Sequence, residues 1–452
     1  MCSYHAPNML FPPQELMALA GIVKEWKKGK VDLLDAMAEQ LNLEQTLERI
    51  GEIKPDIIVT ITGFSCFEDD METFDAIHRQ FPEAVTVVFG HYATQFFREI
   101  LQRYSFHYVI MGEPDMIFSK LYDAITGTVP VKEVEGIAYK PNGELIIQEG
   151  EPRIAHPEEL PMPAYDLLKP DCYFEPFMEA PFGLIQSARG CPYSCNYCVK
   201  SFGRRLTYRT PQQIIDEIIF LKKHHGIRSL RFIDDTFTVS TKRVIEVCQL
   251  MIENELNISW TCLSRVDSLK PEMLPWMQKA GCKRIYFGIE SGSPKVLAYL
   301  DKEGNPAEAL ASLKACKKYD IETLGFFLVG APVETDEDHE MSVRFAREAE
   351  LDYVVVSELM AYPGTPLFDQ VKAELDFSVL PYRNRWRDPE RRKSNMQREK
   401  DFYKRFYLRP AYAVRSAKRV LKHPVSFAAN SMRMLRFLLR NSSPTLKRRD
   451  YM

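Results

Sequence analysis

The chain has 452 residues, 45% apolar and 27% charged, with ten cysteines and a formal net charge of -3. That length is too great for one hydrophobic core and implies two or three domains of roughly 100–200 residues. No run of about 18 apolar residues is present, so no spanning helix is expected, and the opening MCSYHAPNMLFPP lacks the basic-then-apolar pattern of a secretory signal. Scattered cysteines around one tight group argue against a disulfide scaffold and for a reducing, cytoplasmic setting. The small net charge hides an asymmetry: residues 383–452 carry 21 Lys+Arg against 5 acidic residues, leaving the rest of the chain strongly acidic.

From the start, helical and strand patterns alternate. Residues 14–26 have apolar residues at helical spacing, 30–36 (KVDLLDA) read as a short strand, and 46–65 run from a helix through Pro55 into a β-rich segment. A helix at 71–82, a strand at 84–92, a helix at 95–104 and a strand at 106–115 follow. This alternation predicts a doubly wound, Rossmann-like parallel sheet over residues 1–150, with its ligand site at the carboxyl ends of the strands. The proline-rich stretch 151–180 reads as a linker, with a hairpin turn at KPNGE just before it. Over 181–375, six strand-helix units in order predict a (β/α)6 partial barrel, its chemistry also at strand carboxyl ends. Residues 376–452 form a basic, helical extension.

The first barrel strand leads into ARGCPYSCNYCVKSFGRR, three cysteines within eight residues: Cys191, Cys195 and Cys198. Zinc sites usually pair two close ligands with a second pair some 12–20 residues on, and His224, His225 and Cys248 form no such pair. A three-cysteine loop suits an iron-sulfur cluster with one iron left open, zinc and coincidence being the competing readings.

The spacing Cys-x3-Cys-x2-Cys, with Tyr197 before the third cysteine, resembles the radical S-adenosylmethionine (SAM) enzymes. The likeness continues through FIDD (232–235), GCKRIYFGIESGS (281–293), GFFLVGAPVE (325–334) and AYPGTPLF (361–368). The resemblance implies that Cys191, Cys195 and Cys198 ligate three irons of a 4Fe-4S cluster whose fourth iron chelates SAM. An electron from an external flavodoxin- or ferredoxin-type donor would then release a 5′-deoxyadenosyl radical. It also implies SAM contacts: Asp234 and Asp235 for the methionyl ammonium, with a helix cap or solvated strand end as the plainer reading; Ser264 and Arg265, the latter for the carboxylate; Glu290 for the ribose, or else a barrel-interior ion pair; and Gly325, Gly330 and Glu334 beside the adenine. Cys262 and Tyr286, near strand ends, read as core.

The first domain, from FPPQELMALAGIVKEW through KPDIIVTITGFS, VTVVFGHYAT, FHYVIMGEPD and VEGIAYKPNGELI, resembles the cobalamin-binding domain fused ahead of many radical SAM enzymes. That likeness offers Ser65, Gly90, His91, Gly112 and Glu113 as cofactor-side residues, with a helix start as the alternative for His91. Only MCSYHAPNMLF precedes the proline pair where the family has an apolar strand, so the expectation is either a domain trimmed of its first strand or a true start lying upstream. No Asp-x-His-x-x-Gly supplies a histidine to cobalt.

In the tail, Phe427, Met434, Leu435, Leu438 and Leu439 separate at helical spacing from Arg433, Arg436 and Arg440, a pattern of membrane-surface helices or of a helix on the acidic body. Nucleic-acid-reading motifs are absent. Together these features predict a cobalamin-dependent radical SAM enzyme that methylates an unactivated carbon of a lipid or other small molecule, cytoplasmic and peripheral to the membrane. A radical SAM cyclase or ring-rearranging enzyme is the first alternative, a non-catalytic cobalamin-binding accessory protein the second.

Overall fold

In a computed structural model of the chain, residues 10–150, 156–173, 175, 178–302, 304–376 and 385–422 are described. They fall into two compact units, divided at residues 176 and 177. The amphipathic tail positions from Phe427 to Arg440 lie outside the described residues.

In the first unit, helix α1 (Gln14–Ile22) winds into a π-turn at Val23–Lys27. Helix α2 (Leu43–Ile53) opens on a capping box, Asn42 with Gln45, and closes on Lys54 in the left-handed region. Strand β1 (Ile57–Ile61), helix α3 (Phe67–Gln80), strand β2 (Val85–Phe89), helix α4 (His91–Arg103), strand β3 (Tyr108–Ile110) and helix α5 (Pro114–Ile125) follow, then β4 (Ile137–Tyr139) and β5 (Ile146–Gln148). The first three strands are parallel, and the hairpin of β4 and β5 adds to β3 antiparallel, giving the order β1-β2-β3-β4-β5. Alternation along β2 sends Val87 and Phe89 into a core shared with Leu19 and Ile22 of α1 and Phe118 and Leu121 of α5. Helices α3 and α4 meet through Phe67, Tyr92 and Phe96, whose rings pack edge to face and tilted.

The expected strand at 30–36 does not form. Asp35 Oδ1 accepts the Ala38 N–H at 3.0 Å, and Glu39 N and Leu41 N donate back to Asp35 O and Ala36 O, so the chain turns instead of pairing. A short carboxylate competing for backbone N–H groups is the physical reason. Among the described strands β1 is therefore the outermost of its sheet, half-buried along its length, and faces a groove of about 690 Å³ lined by residues including Leu16, Val31, Leu34, Ile57, Val59 and Asp70. The proline-rich segment behaves as a strap on this unit: Ala164 N donates to Met17 O at 2.9 Å, and Gly21 leaves room for Met162 O, which an added Cβ would approach to 2.5 Å.

The second unit is a six-stranded parallel sheet. Its strands are β6 (Phe182–Ile185), β9 (Ser229–Phe232), β10 (Ser259–Arg265), β11 (Cys282–Glu290), β12 (Glu322–Val329) and β13 (Tyr353–Glu358), adjacent in chain order. A two-residue antiparallel ladder, β7 (Ala188–Arg189) with β8 (Thr207–Tyr208), interrupts the series after β6. Helices α6 (Pro211–His225), α7 (Thr241–Glu253), α8 (Leu274–Lys279), α9 (Pro294–Tyr299), α10 (Pro306–Lys318) and α11 (Asp336–Glu348) make the return crossings, α12 (Pro366–Val371) follows the last strand, and α13 (Pro389–Tyr407) and α14 (Pro410–Lys422) close the described chain. Helix α6 shows why the sequence folds so: Thr210 and Gln213 form a capping box, Pro211 takes the first turn, and Gly226 ends it in the left-handed region.

Desolvation in the groove pushes the Asp70 carboxyl up to about 7. Between its ordinary value of 3.8 and 7 the folded state binds this proton more tightly than the unfolded state, so stability from this group is lost as pH rises across that window. Asp70→Asn, which cannot ionise, is therefore expected to match the wild type near pH 4 and to exceed it by about 1–3 kcal/mol at pH 7.5. Hydrogen-exchange protection of β1 and α3 amides, compared between the two chains at each pH, measures the difference.

Candidate functional site

The cysteine loop leaves the second unit at the carboxyl end of its first strand, and a buried carboxylate sets where it starts. Asp234 Oδ1 accepts Ser187 N at 2.6 Å and Ala188 N at 2.9 Å, and Oδ2 accepts the Ser187 hydroxyl. Arg243 Nη2 takes the Ser187 carbonyl at 2.7 Å, so one peptide is gripped from both sides. Burial raises the Asp234 pKa, opposed by the Arg243 charge and by these hydrogen bonds. The sequence pairs Asp234 and Asp235 as ammonium acceptors, but the structure separates them. Asp234 is 2% exposed and committed to the loop, whereas Asp235 is exposed.

The ladder of β7 with β8 closes the loop at its base. Gly190 sits at φ +86°, and a Cβ there would meet Arg205 O at 2.1 Å, so only glycine lets the two arms of the loop come together. Cys191 N donates to Gly203 O at 3.2 Å. The middle of the loop is pinned by Asn196: its N donates to Leu300 O at 3.1 Å, its Nδ2 to Tyr299 O at 2.7 Å, and its O accepts Leu367 N at 3.0 Å. Sequence reasoning missed Asn196, Ser187 and Arg243; their positions inside and beside the motif are the available signal.

The three thiols have different surroundings. Cys195 is buried, with Arg265 Nη1 3.3 Å from its sulfur. Cys191 is half-buried, its sulfur 4.0 Å from Thr236 Oγ1. Cys198 is exposed as a residue, yet desolvation of its sulfur, then the charges of Asp235 and the other two cysteines, push its thiol up to about 11. Among the described residues no three Cys, His, Asp or Glu side chains converge as for a single metal ion. A multi-iron cluster does not need that convergence, since each thiolate binds its own iron. Three thiols on one glycine-closed loop, graded from buried Cys195 to exposed Cys198, are a donor set that fits such a cluster.

The other candidates are distributed as follows. Ser264 Oγ lies 2.6 Å from Thr238 Oγ1, which is 2.7 Å from Ser268 Oγ, a buried hydroxyl network beside Arg265. Glu290 ends β11 at φ +66° and pairs with Lys302 Nζ at 3.1 Å, both side chains under 10% exposed. This is the barrel-interior ion pair. Burial and the Glu290 charge also raise the Tyr197 phenol well above its usual range. Gly325 lies mid-strand, where a Cβ would reach 2.7 Å from Ile289 and Leu351, so it serves packing. Gly330, at φ +88°, admits a neighbour, but that neighbour is Asn395 of α13, 2.4 Å from where a Cβ would lie. Glu334 accepts Gly330 N at 2.5 Å and faces Arg398 Nη1 at 3.4 Å. The turn after β12 is thus covered by α13. Cys262 and Tyr286 are buried, as core residues are.

In the first unit the strand ends bring their candidates to one end of the sheet. Gly90 is required by Thr62 O, which a Cβ would approach to 2.3 Å, and His91 is the first residue of α4. Gly112 N donates to Thr94 Oγ1 at 2.9 Å, and Glu113 stands at the N-cap position of α5 without a side-chain capping bond. Ser65 lies in the 3-10 turn Phe64–Cys66 after β1.

Comparison with known proteins gives one domain match, to the radical SAM superfamily over residues 185–346. A protein of Pyrococcus horikoshii named an uncharacterized methyltransferase is 32% identical over 415 residues, 89% of each chain. An anaerobic magnesium-protoporphyrin IX monomethyl ester cyclase of Cereibacter sphaeroides is 28% identical over 375 residues, 81% of this chain and 61% of that one. Among solved structures, the cobalamin-dependent SAM radical enzyme OxsB, with aqua-cobalamin and SAM bound, superposes with a TM-score of 0.71 at 18% identity, over 81% of this chain and 59% of that one.

Substitution separates the two aspartates. Asp234→Ala leaves Arg243 and the Ser187 amide buried without their partner and should destabilise the second unit by about 3–5 kcal/mol. Asp235→Ala should change stability by no more than about 0.5 kcal/mol. Urea unfolding of the two variants against the wild type measures both.

Proposed function

The chain belongs to the radical SAM superfamily, and from that premise we propose that it is a cobalamin-dependent radical SAM methyltransferase acting on an unactivated carbon of a small molecule or lipid. The observation that carries this reading is the glycine-closed loop of Cys191, Cys195 and Cys198 at the first strand end of a six-stranded parallel sheet, in a chain that opens with an α/β unit. Cys191, Cys195 and Cys198 would hold a 4Fe-4S cluster there, which would supply one-electron chemistry toward the SAM sulfonium. Around it the chain's own residues position and seal: Asp234 and Asn196 fix the loop, Tyr197 and the Glu290–Lys302 pair wall it, and Asp235, an exposed carboxylate whose charge acts on Cys198, is the acceptor for the SAM ammonium.

The names of the relatives support a choice within the family. Methyltransferase is the name of the relative at 32% identity, and the structural neighbour carries cobalamin. In this reading Gly90, His91, Gly112 and Glu113, at the strand ends of the first unit, would face the corrin. The cyclase relative favours ring closure as the second reading. A one-electron donor of the flavodoxin or ferredoxin class completes the system.

After anaerobic reconstitution with iron and sulfide, the chain should bind about four irons, and on reduction with SAM and hydroxocobalamin should form 5′-deoxyadenosine. Cys195→Ala should lose that product entirely. Label from methyl-labelled SAM should appear on bound cobalamin; product formation with no corrin retained would favour ring closure. No helix among the described residues is long and apolar enough to cross a membrane, and the basic residues 423–452 form the proposed membrane contact. Flotation with anionic liposomes should fall at least several-fold on their removal, and equal recovery would remove that contact.

A further inference from the structure

We propose that Arg265 donates a hydrogen bond to the sulfur of a cluster ligand and so sets the potential at which the cluster takes its electron. The inference rests on the radical SAM reading of the cysteine loop. Arg265 ends β10, a place that suggests a contact with the SAM carboxylate, but its donors are engaged elsewhere. Nη1 lies 3.3 Å from Cys195 Sγ, Nε 3.0 Å from Asp267 Oδ1 and Nη2 2.7 Å from Asp267 Oδ2. The guanidinium also stacks over the Tyr193 ring, 3.8 Å from its centroid. With only 6% of the side chain exposed, the group is held by a two-pronged ion pair on one edge and a ring on one face, leaving Nη1 aimed at the sulfur.

This arrangement is built for a ligand atom whose charge changes. Reduction moves one electron from a low-potential donor onto the oxidised cluster; no bond breaks, and negative charge on the sulfurs and irons increases. An N–H donor carrying positive charge beside a ligand sulfur stabilises that added charge more than the oxidised state, which raises the reduction potential. In a buried position the effect is little screened. Asp267 opposes it, but its side chain is 23% exposed and its charge is correspondingly better screened. The same fork that weakens the charge fixes the geometry, as Arg is suited to do and Lys is not. Arg265 is accordingly a positioning and tuning residue for the cluster, acting through Cys195.

The test is a redox titration of the full-length chain, reconstituted anaerobically and without SAM, using dithionite as electron donor and the electron paramagnetic resonance signal of the reduced cluster as readout. At the wild-type midpoint, Arg265→Gln should lower the ratio of reduced to oxidised cluster about tenfold, a shift of about 59 mV to more negative potential for a one-electron couple. Asp267→Asn, at a partly exposed position, keeps the donor, removes the opposing charge and should shift the midpoint the other way. An unchanged midpoint in Arg265→Gln at wild-type iron content would overturn the proposal, the more so if SAM binding weakened, because Arg265 would then serve the SAM carboxylate. Should Arg265→Gln assemble no cluster, the Asp267→Asn midpoint decides: a positive shift supports the tuning role, and no shift or a negative one defeats it. A wild-type chain that assembles no cluster would defeat the radical SAM reading itself.

Discussion

The buried carboxylate of Asp234 fixes the point from which the functional part of the second unit departs. Parallel strands end in backbone groups with no ladder partner, and a loop springing from such an end has no inherent direction. Here the carboxylate takes two successive N–H groups, at Ser187 and Ala188, while Arg243 takes the intervening Ser187 carbonyl. The first strand is thereby joined to the end of its neighbour β9 beyond their shared ladder, and β7 and the cysteine loop inherit a fixed origin. A buried ion in a low-dielectric setting stays charged only if its partners are in place, so the loop and the strand end must form together.

From that origin the loop is held at three further points, each of a different physical kind. Gly190 allows a backbone approach, Asn196 exchanges hydrogen bonds with the ends of α9 and α12, and Cys195 meets the guanidinium of Arg265. The three cysteines are therefore not equivalent. Cys195 is the buried, hydrogen-bonded one, and Cys198 lies toward solvent beside Asp235. The Cys195 side is occupied by Tyr193, Arg265 and Asp267, which leaves the Cys198 side the more open of the two.

How much of this the sequence reveals depends on whether the determining contact is local. The order of strands and helices in the second unit, the cysteine loop and the capping boxes are readable because each rests on spacing within a few residues. The segment 30–36 misleads because its apolar spacing suits a strand, while Asp35 offers its own turn a local acceptor. Asp234 and Asp235 look alike as adjacent acids; only the packing of Ser187, 47 residues away, distinguishes them. Gly330 is legible as a position needing close approach, but what approaches is Asn395, from a helix that begins nearly 60 residues later. Glycine announces a neighbour without naming it.

The edge of the second sheet shows the same limit and explains the basic extension. Strand β13 ends the sheet, and its outward N–H and C=O groups need partners. Tyr407 Oη accepts Val354 N at 3.0 Å and donates to Val354 O at 3.1 Å; Tyr403 Oη does the same for Val356 at 2.9 and 3.2 Å. Tyr412 Oη continues the series by donating to Asp352 O at 3.0 Å. The registers match because two residues of parallel strand rise about 6.6 Å and four residues of helix about 6.0 Å, so tyrosines four apart on α13 meet alternate residues of the strand. Burial of Phe402 and Phe406 on the same helix supplies the apolar part of the contact, and Arg398, Arg405 and Arg415 pair with Asp336, Glu340 and Glu350 of the acidic body. Part of the positive charge of residues 389–415 is thus turned toward the protein itself, through a helix that the sheet edge requires for its own backbone groups.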